Sequence, residues 1–145
     1  MAQYSKILMA VDLSDDSDMV AERAAAIGAN NSAELHVIHV IEPLSFAYGG
    51  DIPMDFSGIQ DEIHQQAVQQ LDAFAERHGI AEGRRHVVLG QPEVEIHALA
   101  EEAGVDLIVV GSHGRYGLAL LMGSTANGVL HGAGCDVLAV RVGKH

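Results

Sequence analysis

Short apolar runs recur along this chain, and segments of helical period separate them. Ile7-Leu8-Met9-Ala10-Val11 and Leu107-Ile108-Val109-Val110 are unbroken, which suits strands covered on both faces rather than one. The pattern predicts strands at residues 6–11, 34–41, 85–89, 106–110 and 135–142. It predicts helices at 16–29, with Met19, Val20, Ala24 and Ile27 at helical spacing, and at 59–78, with Ile63, Ala67, Leu71 and Phe74 on one face. Two shorter helices are expected at 93–102 and 124–131. Ser14, Asp15, Asp16 and Ser17 offer cap chemistry to the first helix, and Gly79 stops the second. Strict alternation of strand and helix implies an α/β fold. It is a doubly wound, five-stranded parallel sheet with helices on both faces, in the common order 3-2-1-4-5. The length of 145 residues fits one domain spanning the whole chain, 1–145.

In such a sheet, ligands lie beyond the carboxyl ends of the strands where the strand order reverses. That point falls between the first and fourth strands, whose ends carry Asp12 and Gly111. Gly111-Ser112-His113-Gly114 follows the fourth apolar run directly, and Gly123-Ser124-Thr125 comes after a further eight residues, 115–122. Glycines there let a backbone approach a ligand closely, because no Cβ intervenes. Small hydroxyl residues at a helix start leave N–H groups for an anion. Together these clusters read as a phosphate cradle. Each residue also has a purely structural reading. Asp12 can cap the first helix, Gly111 and Gly114 can serve turns, and Ser124 and Thr125 can be N-caps. Arg115 can pair with a phosphate or be a solvated surface arginine. Residues 42–58 form a long Gly-, Pro-, Ser- and Asp-containing loop, of a length usually tied to function.

Composition narrows the field. Eight Lys and Arg against twenty Asp and Glu give a formal net charge of −12. That argues against nucleic-acid binding, which needs clustered cations, and against an anionic membrane surface. The apolar runs are far shorter than a membrane span. The start leads straight into a strand pattern with no leader, which gives the expectation of a soluble, cytoplasmic protein. The single cysteine, Cys135, excludes an intrachain disulfide and reads as a small buried residue. Nine histidines are scattered; His36 and His39 sit three apart in a strand and so point to opposite faces. No metal site is expected. No nucleophile or second base stands beside His113, so no catalytic residue is assigned.

The chain resembles the universal stress protein family along nearly its full length. The matching pieces are Ile7-Leu8-Met9-Ala10-Val11-Asp12-Leu13-Ser14, His39-Val40-Ile41, Gly90-Gln91-Pro92, 105–114, Gly123-Ser124-Thr125-Ala126 and Cys135-Asp136-Val137-Leu138-Ala139-Val140. The resemblance implies a dimer formed through the last strand and an adenine-nucleotide site. By it, Asp12 and the backbone of Val40 would hold the base. Ala10, Val11 and Gly111 would line the ribose, and Gly114, Gly123, Ser124 and Thr125, with Arg115 beside them, would meet the phosphates. The family's ATP-binding pattern has one residue more between its second and third glycines. Members that do not bind ATP share the shorter span but lose the glycines, which this chain keeps. The ligand expected is therefore ATP, ADP or AMP, with or without Mg2+.

The function expected is that of a dimeric stress-response sensor or regulator. Two other readings stay open: a slow ATPase or phosphotransferase, although no Walker-type Gly-Lys-Ser/Thr exists here, and a nucleotide-free dimeric interaction module. The fifth strand, if an edge, would invite antiparallel self-pairing across a two-fold axis.

Overall fold

The computed structural model describes residues 3–42, 57–113, 128–129 and 132–142. Five strands, β1 (Lys6–Ala10), β2 (Glu34–Ile41), β3 (Arg85–Leu89), β4 (Leu107–His113) and β5 (Asp136–Val142), form one sheet in the order β3-β2-β1-β4-β5. Every neighbouring pair is parallel. Among the described residues three long helices cover it: α1 (Ser17–Asn31), α2 (Ser57–Arg77) and α3 (Pro92–Ala103). The doubly wound order expected from the sequence is the order found.

Side chains alternate across a strand, so an unbroken apolar run needs cover on both faces. Two clusters provide it. Ile7, Met9, Val37 and Val109 pack with Val20, Ala21 and Ala24 of α1 and with Leu71 and Phe74 of α2. On the other face Leu8, Ile38, Ile108 and Val110 pack with Ile96 and Ala100 of α3. Val129, in the helical pair 128–129, adds to this second cluster. The remainder of the expected helix 124–131, and residues 43–56 of the expected loop, lie outside the described residues. Helix α3 opens on Pro92 and closes on Gly104, whose φ of 73° is the left-handed geometry a glycine adopts without strain.

Four local expectations need correction. Residues 111–113 belong to β4 and not to a loop, because β5 keeps pairing with them through Gly111–Val140, Ser112–Arg141 and His113–Val142. Strand β1 ends one residue early, at Ala10, and β5 begins at Asp136 rather than Cys135. The cap of α1 also differs. Asp16 occupies the N-cap position with helical dihedrals and makes no side-chain cap bond.

Candidate nucleotide-binding crevice

The crevice exists because the three central strands have unequal lengths. β1 pairs with β4 only as far as Ala10–Val110 and with β2 only as far as Ala10–Ile38. One more bond, from the Val11 amide to the Ile38 carbonyl at 3.0 Å, follows before the chain turns away. β2 continues to Ile41 and β4 to His113, each held by its outer neighbour. A cavity of about 310 Å³ opens between them. Ala10, Val11, Asp12, Val40 and Gly111, all singled out in the sequence, line it. Gly114, Arg115, Gly123, Ser124 and Thr125 lie outside the described residues.

The turn that ends β1 is built by its own aspartate. Asp12 Oδ1 accepts the Ser14 amide at 3.0 Å and the Ser17 hydroxyl at 3.1 Å. An aspartate accepting the amide two residues on is an Asx turn, a local substitute for a backbone turn. Leu13 between them takes φ 63°, a conformation that disfavours a residue with a Cβ, and it packs on the first cluster. Ser17, the first residue of α1, is 3 % exposed, so its hydroxyl depends on Asp12 for a partner. Asp12 therefore shapes the turn ahead of α1 and pairs with the first side chain of that helix, which fixes the carboxylate at the mouth of the crevice.

Val40 offers backbone. N–H and C=O groups along a strand project to alternate sides, so Val40 faces the same way as Ile38, whose carbonyl bonds toward β1. At Val40 the β1 strand has gone, and the amide edge borders the cavity. His39 closes the opposite face, with Nδ1 2.9 Å from the Val11 carbonyl. A carbonyl only accepts, so Nδ1 carries the hydrogen and Nε2 is the basic nitrogen.

Gly111 lines the cavity and has a packing use as well. A Cβ there would come within 3.3 Å of Val20 Cγ2 and 3.5 Å of Val142 Cγ2. Its small size serves the packing of β4 on α1, while its backbone borders the cavity. Val20, Ile96 and Val142 supply apolar walls that sequence reasoning did not assign to the site. The usable signals were their places in the first turn of α1, the second turn of α3 and at the carboxyl end of β5. Asp16 and Glu42 join Asp12 among the lining residues, so the described part of the crevice combines apolar walls with carboxylates.

Residues 3–141 match the Universal stress protein family. Universal stress protein A homolog 2 of Coxiella burnetii is 42 % identical over 146 residues, which cover 98 % of each chain. The chain belongs to the universal stress protein family. Universal stress protein UspA from Lactobacillus plantarum superposes with a TM-score of 0.76 at 23 % identity, covering 97 % of this chain and all of that one, and so supports the fold. A universal stress protein crystallised in complex with cAMP superposes with a TM-score of 0.62 at 27 % identity, over 94 % of this chain and 96 % of that one. Among the described residues of this universal stress protein, no helix is long and apolar enough to cross a membrane, and no group of three potential ligands could hold a metal ion.

Proposed function

We propose that this universal stress protein binds an adenine nucleotide in the crevice beyond Ala10 and acts as a cytoplasmic sensor or regulator. The observation that carries this reading is the missing end of β1. It leaves the Val40 amide edge and the Asp12 carboxylate bordering one cavity with apolar walls. A flat heteroaromatic base matches such a space, since apolar walls take its faces and a few polar groups read its edge. In this reading Asp12 and Val40 hold the base, and Ala10, Val11 and Gly111 border the ribose. The universal stress protein crystallised with cAMP supports an adenine ligand for a chain of this fold.

In the same reading Gly114, Arg115, Gly123, Ser124 and Thr125 meet the phosphates of ATP, ADP or AMP. Mg2+ would offset charge there. We also propose that residues 1–145 act as a single domain and that the edge strand β5 pairs with a second copy. Amide chemical shifts recorded during titration with ATP, AMP and cAMP test the site. The expected result is shifts centred on Val11, Asp12, Val40 and Gly111. Shifts confined to other surfaces, or none at millimolar nucleotide, would overturn it.

A further inference from the structure

Outside the lining of the crevice, two histidines face each other on the α3 side of the sheet. His36 of β2 and His86 of β3 stack with ring centroids 5.8 Å apart and planes inclined by 12°. His36 Nε2 lies 3.1 Å from Glu34 Oε1. A carboxylate only accepts, so Nε2 carries the hydrogen and any added proton must go to Nδ1. That nitrogen is buried without a hydrogen-bond partner, and so is His86 Nε2. The charged form of either ring carries a buried N–H with no acceptor, and charging both sets two cations side by side.

The surrounding charges do not remove this cost. Glu34 is already shared with Arg84 at 3.7 Å and feels Lys6 of β1. Lys6 Nζ donates to the Ala103 carbonyl at the end of α3. Glu102 of α3 is the one carboxylate that favours a charged His86; burial and the neighbouring His36 outweigh it and hold the His86 imidazole below its usual range. The described residues supply no third ligand for a metal ion. β3 is the sheet edge, so His86 can reach water by local opening without parting the central strands.

We propose that the His36–His86 stack is an acid-sensitive latch: it keeps the edge strand β3 closed on β2 beneath α3 at neutral pH and releases it on acidification. The latch is independent of what the crevice binds. The sign follows from linkage. A histidine harder to protonate when folded gives stability that is full above the unfolded value near 6.5 and is lost as pH falls below it.

Native-state hydrogen exchange at pH 7.5 and pH 5.0, corrected for intrinsic exchange chemistry, tests this. The opening equilibrium of the residue 86–89 amides should rise roughly tenfold for each unit by which the folded histidine is harder to protonate. Amides of β1 and β4 should not change with them. His86→Phe keeps the stacked ring and removes the proton site, and it should abolish the rise; His86→Gln serves if the phenylalanine variant misfolds. His36→Gln should reduce it. An unchanged β3 in the wild type, an equal rise in the His86 variants, or all strands opening together would each overturn the latch.

Discussion

Replacing Asp12 separates its structural role from its proposed ligand role. Alanine removes the acceptor for both the Ser14 amide and the Ser17 hydroxyl. Ser14 is exposed, so water replaces much of what its amide loses. Ser17 is different, because at 3 % exposure its hydroxyl is left buried and unsatisfied. An orphaned buried hydroxyl costs about 1–3 kcal/mol, and a lost exposed bond near the bottom of about 0.5–1.5 kcal/mol, so Asp12→Ala should destabilise by about 2 kcal/mol. At about 3–4 °C per kcal/mol for a chain this long, Tm should fall by roughly 7 °C. Asp12→Asn keeps a carbonyl oxygen for both donors and should stay within about 1 kcal/mol of the parent. It loses the charge and gains an amide donor, so adenine-nucleotide affinity should drop at least tenfold, about 1.4 kcal/mol. Thermal unfolding and calorimetric titration of the two variants read the two roles. A parental Tm for Asp12→Ala would refute the account of the turn. A parental Kd for Asp12→Asn would refute the ligand role and leave Asp12 a residue of the turn.

Three further outcomes follow from the packing and electrostatics. Gly111→Val places a branched side chain against Val20 and Val142, and denaturant unfolding should show a loss of about 1–3 kcal/mol from overpacking. Ile96→Ala opens the wall between the second cluster and the crevice; equilibrium unfolding should register a loss of about 2–3 kcal/mol, the low end for such truncations because one side already faces a cavity. Burial disfavours the Asp106 carboxylate, but the Ser5 and Lys6 amides and the Ser5 hydroxyl outweigh it and hold the carboxyl below its usual range. Its stabilisation is therefore complete above the unfolded value of about 4 and disappears as pH falls through the lower folded value. Unfolding curves at stepped acid pH should show Asp106→Asn with a shallower decline than the parent, and parallel declines would contradict this.

The sheet was legible in the sequence because burial on both faces leaves no room for polar residues in Ile7–Val11 or Leu107–Val110. The placing of Asp12 at the reversal point came with the strand order. The end of β4 was not legible. Gly111-Ser112-His113 has loop composition, and only pairing with β5, remote in sequence, makes it a strand. Tertiary pairing overrode local preference there. The cap of α1 failed for a related reason: Asp16 and Ser14 have cap chemistry, but Asp12, five residues before Ser17, satisfies the serine hydroxyl. His39 was weighed for metal binding alone, because the fold of Val11 back onto it follows from the turn and not from spacing in β2. The expected phosphate-end residues, Gly114 through Thr125, lie beyond what the structure describes.

Calorimetric titration of ligand-stripped protein with ATP, ADP and AMP tests the central claim most directly. A crevice left by the early end of β1, with Asp12 and Val40 at its border, predicts saturable heat with one or more of the three at up to millimolar concentration. Absence of heat with all three would contradict an adenine-nucleotide site and leave the crevice without the ligand proposed for it.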